Sequence, residues 1–213
     1  MLKDKDIREP LFFFLEEEYG KARFIEEKTM GKSRADVLMV TDGALIGIEI
    51  KSDADTYERL ASQVKDYDRL CDFNYIAAGS SHAMHVEEHV PDYWGIITVD
   101  ETEDGADFYI LRRPKLNPKV KMKNKVALLW RPELNRLLTL NGMHAYREKS
   151  KAFVAGRLLA EVPEEVLQAQ LLEELFERDY TAIAKEIADY RAEHAKARPA
   201  KAAGRKKRKR TKK

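Results

Sequence analysis

Two acids and a lysine stand apart in this chain, because their spacing and context can assemble a metal-centred site. Glu49 and Lys51 lie two apart in the run Ala44 to Lys51, ALIGIEIK. Side chains of an extended chain alternate, so Ile46, Ile48 and Ile50 form one face and Leu45, Gly47, Glu49 and Lys51 the other. The isoleucine face is core. The opposite face sets an acid beside a base, and Gly47 leaves room for a group to approach. In the preceding segment, 35–41, Asp36 shares a face with Leu38 and Val40. Thr41-Asp42-Gly43 between the two segments is a turn signal, and a hairpin closed there brings Asp36 to Glu49 and Lys51. Two carboxylates held close repel each other unless a cation lies between them. Hard oxygen ligands suit Mg2+ (or Mn2+), which binds through one or two carboxylates and keeps several waters. Such an ion lowers the pKa of a bound water and offsets charge on a phosphate. A neighbouring lysine orients that water or stabilises the transition state.

The elements that must position these residues follow from periodicity. Residues 6–19 read as a helix with the apolar stripe Ile7, Leu11, Phe14 and Leu15, capped by Asp6, with Pro10 in the first turn and Gly20 at its end. Strands are expected at 23–29, 35–41 and 44–51. A helix at 56–70 carries Leu60, Gln63, Tyr67 and Leu70 on one stripe, so Gln63 and Tyr67 face inward. A glutamine there needs a polar partner, which the acid–lysine face supplies. Strands at 73–78, 94–99 and 107–113 and a short helix at 82–90 complete a mixed sheet with helices on its faces, an α/β architecture. Residues 1–114 form this core. Residues 115–126 read as a basic linker without a clear period, and 127–195 as a helical extension with helices near 132–141, 147–160, 163–178 and 180–195. Pro132 and Pro163 fit first-turn positions and Asn141-Gly142 fits a helix stop. Residues 196–213 form a basic tail that cannot bury a core and is read as disordered.

Asp36, twelve residues, then Glu49-Ile50-Lys51 resembles the signature of PD-(D/E)XK nucleases, with Ala35 where the name has proline. Gln63-Val64-Lys65-Asp66-Tyr67 resembles the QxxxY element of the RecB-like branch. The fuller strings KDKDIRE, EIKSDADTYERLASQVKDY and PDYWGI look like those of a largely uncharacterised group of bacterial and phage nuclease-like proteins, over about residues 3–99. The resemblance implies a restriction-endonuclease-like core and a Mg2+-dependent deoxyribonuclease acting in DNA processing, repair or defence. In that role Asp36 and Glu49 are metal ligands, Ile50 offers its backbone carbonyl, Lys51 assists the attack of water, and Gln63 and Tyr67 support the site. Related junction-resolvase folds place a further acid in the first helix. Asp6 is the candidate and Glu9 the alternative, with Arg8 as a phosphate contact, and Glu26 or Glu27 offers an acid from the first strand instead; the sequence leaves these open. The rival reading is a nuclease-fold protein that binds or recruits to DNA without turnover.

The formal net charge of +2 hides an asymmetry. Residues 196–213 hold eleven of the 39 basic side chains and no acid, leaving 28 basic against 37 acidic residues before them. DNA, single-stranded or branched, is the expected partner, and capture falls to the tail, where Arg205, Lys206, Lys207, Arg208, Lys209 and Arg210 are the candidate phosphate contacts. A second basic stretch, Arg112, Arg113, Lys115, Lys119, Lys121, Lys123 and Lys125, is a candidate substrate path. The helical extension is the candidate surface for a second copy or a protein partner. Cys71 is the only cysteine, which excludes an intrachain disulfide and a cysteine-rich zinc site and fits a reducing cytoplasm. The longest early apolar run, LFFFL at 11–15, falls far short of the ~20 residues that span a bilayer, so no membrane role is expected. His82, His85 and His89 share a helix face; a surface helix explains them better than zinc.

Overall fold

Ile46, Ile48 and Ile50 bury one face of their strand while Leu45 buries the other, so helices must cover both sides. The computed structural model describes residues 4–52, 55–79, 85–103 and 105–183, with 185, 188 and 189. Its first helix, α1 (Asp4–Tyr19), precedes three strands, β1 (Arg23–Met30), β2 (Ser33–Val40) and β3 (Leu45–Lys51). Helix α2 (Leu60–Asp68) then leads to β4 (Phe73–Gly79), β5 (Gly95–Thr102) and β6 (Gly105–Arg112). The six strands lie in sequence order, antiparallel from β1 to β3, parallel from β3 to β5 and antiparallel again at β6. The result is a mixed α/β sheet flanked by helices.

Helix α1 packs Ile7, Leu11 and Leu15 against Val37, Met39, Ile48 and Ile97 on one face of the sheet. Its range corrects the placing of Pro10, which lies inside the helix rather than in its first turn. Proline lacks the N–H that would bond back to Asp6, and burial of the Ile7–Leu11–Leu15 stripe offsets that loss. Gly20, at φ +78°, ends the helix in the left-handed conformation, and its N–H bonds to Glu16 O at 2.9 Å. Thr41 and Ala44 close the β2–β3 turn through backbone and hydroxyl bonds.

Helix α2 begins four residues later than the periodicity predicts, because Asp55 turns back to accept from the N–H and hydroxyl of Ser52. Helices α3 (Met122–Leu128), α4 (Arg131–Leu140), α5 (Lys151–Glu161) and α6 (Glu164–Phe176) join α2 on the second face in a common cluster that includes Leu38, Leu45, Ile76, Leu137, Leu158 and Leu171. The stretch read as a basic linker therefore differs from that reading. Its second half is helix α3, which buries Val126, Leu128 and even Lys125. Pro132 and Gly142, at φ +63°, sit at the start and end of α4 as their chemistry requires. Residues 4–178 belong to one compact unit. A second unit, Asp179–Lys213, opens with a helical turn in which Asp179 accepts from the N–H groups of Thr181 and Ala182. Among the described residues no helix is long and apolar enough to cross a membrane. The basic tail, with Arg205 to Arg210, lies outside the described residues.

One irregularity in the sheet bears on the site. Ile25 and Met30, five apart on β1, belong to the same core cluster, as do Ala35 and Leu38, three apart on β2. Strict alternation would put each pair on opposite faces. The reversal occurs where Glu27 stands opposite Asp36, between the pairs Glu26↔Val37 and Lys28↔Ala35. Glu27 has φ +51°, a left-handed conformation that costs a non-glycine residue about 1–2 kcal/mol.

Candidate active site at the end of the central hairpin

Glu49 is fully buried near the end of β3, and Lys51 is 6% exposed. Lys51 Nζ donates to Glu49 Oε1 at 2.7 Å and to Gln63 Oε1 at 3.3 Å. Gln63 Nε2 donates to the same glutamate oxygen. The amide of Gln63 thus grips the lysine with its oxygen and the carboxylate with its nitrogen.

The other oxygen, Glu49 Oε2, is buried without a hydrogen-bond partner. Burial first, and the negative charge of Asp36 second, push the Glu49 carboxyl up to about 7 against the pull of Lys51. Asp36 is half-buried, and its Oδ2 accepts the N–H of Ile50 at 2.9 Å. Arg8 reaches down from α1 to Glu26 Oε2 at 3.0 Å and toward the Asp36 carbonyl at 3.5 Å.

Tyr67 explains how the two acids come to lie on adjoining strands without continuing the ladder. The β2–β3 pairing ends at Val37↔Ile48. Beyond it, the Tyr67 hydroxyl donates to Ile48 O at 2.9 Å and accepts from Asp36 N–H at 3.0 Å. A side chain from α2 therefore takes the place of the next backbone rung. It donates to Ile48 O, and the same hydroxyl lies near enough to Glu49 to help hold its carboxyl down, while Glu49 Oε2 keeps no hydrogen-bond partner of its own. The ring fits because residue 47 is glycine: a Cβ there would collide with the Tyr67 ring and with Asn74 Oδ1. The edge of Trp94 packs on the ring, with centroids 5.6 Å apart.

The structure thus gathers Asp36, Glu49, Lys51, Gln63 and Tyr67, and joins the peptide of Ile50 to them. The additional candidates fare differently. Arg8 touches the site's backbone. Glu27 pairs with Arg34 at 3.1 Å, both side chains exposed, and Asp6 and Glu9 are exposed on α1. His82 lies outside the described residues; His85 and His89 are exposed, and the His89 ring stacks on Tyr57. Among the described residues, no group of three or more His, Cys, Asp or Glu converges. Asp36, Glu49 and a backbone oxygen would offer a metal a hard-oxygen donor set, with one buried carboxylate oxygen not hydrogen-bonded, and that chemistry fits Mg2+ or Mn2+.

Most of the basic stretch read as a substrate path stays exposed, though several of its side chains also make structural bonds. Arg112 donates to the carbonyls of Trp94 and Pro91, Arg113 pairs with Glu18, Lys119 with Asp68 and Lys125 with Asp72. Lys121 and Lys123 stay exposed. Sequence reading overlooked Asn74. It is fully buried beside Gly47, on the face that carries Glu49, with neither side-chain polar atom hydrogen-bonded. Its signal was a lone amide in the apolar strand FNYIAA.

No curated protein matches the chain. The solved structure of Pyrococcus furiosus SfsA in complex with Ca2+ is similar over 52% of this chain and 60% of that one, with 15% identity and a TM-score of 0.31. This chain therefore spans less than two thirds of that protein's length. The sequence pattern of one phage family, described as bacteriophage P4 protein cII, matches residues 3–198, nearly the whole chain, and the protein belongs to that family.

Proposed function

We propose that this protein is a metal-dependent nuclease that hydrolyses DNA phosphodiester bonds on the PD-(D/E)XK plan. The observation that carries the reading is the buried, unpartnered Oε2 of Glu49 facing a second acid, Asp36. A carboxylate oxygen left bare in the interior is costly unless a cation takes it. Asp36 and Glu49, with the Ile50 carbonyl, would hold Mg2+ or Mn2+. When bound, such an ion acidifies a water and neutralises phosphate charge. Lys51 is held by Glu49 and Gln63, and its ammonium would meet the negative charge that develops on the phosphoryl oxygens. Tyr67 fixes the separation of the strands that bear the acids. Arg8 steadies the Asp36 peptide, and Asp6 and Glu27 remain the candidates for a further ligand. The tail, Arg205 to Arg210, would supply salt-sensitive attraction to DNA in phage or bacterial DNA processing.

The test is cleavage of single-stranded, double-stranded and branched DNA, and of RNA, with Mg2+ or Mn2+. Wild type should cleave at least one, and Lys51→Ala should lose about 10²–10³-fold of that rate. Equal residual activity in the two overturns the reading. The Lys51–Glu49 ion pair favours a second reading, a silent nuclease fold that only binds DNA. Salt-sensitive DNA binding and metal binding without cleavage would support it.

A further inference from the structure

Far along the chain from the acids, the loop between α4 and α5 collects aromatic rings among cations. Tyr146 is the hub. The rings of His144 and Phe153 each meet it edge to face at 5.2 Å. Lys149 Nζ lies 5.5 Å from the Phe153 centroid, and the Arg157 guanidinium lies 5.9 Å from the Tyr146 centroid. Arg157 Nε also donates to the Tyr146 hydroxyl at 3.2 Å, while its other side pairs with Glu161. Arg131 pins the loop backbone, donating to the carbonyls of Lys149 and Tyr146 at 2.7 and 2.6 Å.

The rings are therefore held in place: Tyr146 packs against the core, while Phe153 and His144 keep their exposed surface. Tyr146 is half-buried, His144 is exposed and Phe153 is 41% exposed. Between residues 143 and 161 stand Arg147, Lys149, Lys151 and Arg157 against two acids, Glu148 and Glu161, the latter paired with Arg157. The chain up to residue 195 has the opposite balance, 28 basic against 37 acidic side chains. A local reversal of charge laid over fixed, solvent-facing rings matches the chemistry of a single strand, whose phosphates seek cations and whose bases offer flat apolar faces. A duplex keeps those faces stacked inside.

We propose that this surface is a binding platform for single-stranded nucleic acid, with bases stacking on Phe153 and His144 and phosphates meeting Arg147 and Lys149. The choice of occupant rests on the nuclease reading above; the geometry does not.

The experiment uses the full chain in EDTA, which stops cleavage, and follows fluorescence anisotropy of two labelled probes. One is oligothymidylate, the other an abasic deoxyribose-phosphate oligomer of equal length. The basic tail attracts both through charge, and only a stacking platform distinguishes them. Wild type should bind oligothymidylate more tightly. Phe153→Leu keeps an apolar side chain and should weaken oligothymidylate about 5- to 100-fold while leaving the abasic probe unchanged. Joint Arg147→Glu and Lys149→Glu should weaken both probes. Equal wild-type affinity for the two probes overturns the proposal, and so does a Phe153→Leu loss that is absent or shared equally between them. Base-dependent binding in a protein that cleaves nothing would sink the nuclease reading and leave the platform standing. Efficient cleavage without base-dependent binding would do the reverse.

Discussion

Glu49 and Asp72 are both buried acids that serve β3, one near its end and one beside its start, and the fold treats them in opposite ways. Asp72 is saturated. Its Oδ2 accepts the N–H of Leu45 at 2.9 Å and the amide of Gln168 at 3.1 Å, and its Oδ1 takes the ammonium of Lys125. Lys125 in turn bonds to Gln168 Oε1 at 2.7 Å. These bonds tie β3 to α3 and α6 and leave nothing for a ligand. Glu49 has Lys51 and Gln63 on one oxygen and no hydrogen bond on the other, and burial, with a second acid nearby, raises its carboxyl to about 7. Buried charge that is satisfied belongs to architecture, whereas buried charge left short of a partner points to a site.

The contrast can be broken most severely at Lys125. Lys125→Ala leaves Asp72 buried and short of its cation, and should cost about 3–5 kcal/mol in chemical denaturation. A loss below about 1 kcal/mol would mean that Asp72 is not the fixed point described. Glu49 should behave in the reverse sense. Its carboxyl is raised from 4.5 to about 7, so between those values the folded protein holds more protons than the unfolded chain. Stability in EDTA should therefore fall as pH rises through that window, by roughly 3 kcal/mol at most. Glu49→Gln should flatten that dependence, and adding Mg2+ to wild type should recover stability mainly above pH 7. Denaturation between pH 5 and 8 reads both; a wild-type profile as flat as that of Glu49→Gln would remove the strain argued for Glu49. The smallest effect is expected at Tyr67. Tyr67→Phe keeps the ring over Gly47 but strips partners from Asp36 N–H and Ile48 C=O, which should cost about 1–3 kcal/mol. Faster amide exchange at Asp36 would locate the loss; unchanged exchange there would count against the wedge.

What the sequence revealed and what it hid divide along the same line. Alternation in ALIGIEIK, the Thr41-Asp42-Gly43 turn and the Gln63–Tyr67 stripe are local patterns, and they suffice to bring the acids, lysine and helix to one place. The hidden parts depend on distant partners. Lys125 reads as one more linker lysine because Asp72 lies 53 residues away, and only that partner makes its burial tolerable. The face reversal at Glu27 and Asp36 has no glycine to announce it. The Tyr67 wedge was invisible because a helical stripe shows which side a residue faces and not which backbone atoms it meets. Pro10 was misplaced for a related reason: burial upstream outweighed local propensity.

Strand β3 stays with β4 as far as Lys51↔Ala78, while β2 leaves it after Val37↔Ile48. The pair is a fork with one acid on each prong and a phenol hydroxyl at its base. Its aperture is set by a side chain rooted in α2 rather than by the regular spacing of a sheet. Asp68 of that helix is clamped by Trp94, Tyr93 and Lys119, and its Asp66 holds the β1–β2 turn through the N–H groups of Lys32 and Ser33. Mg2+ insists on short, near-octahedral bonds where Ca2+ accepts longer and looser ones. For the proposed Mg2+, the tyrosine would be a gauge for ion size, and the helix that carries it would calibrate the gauge.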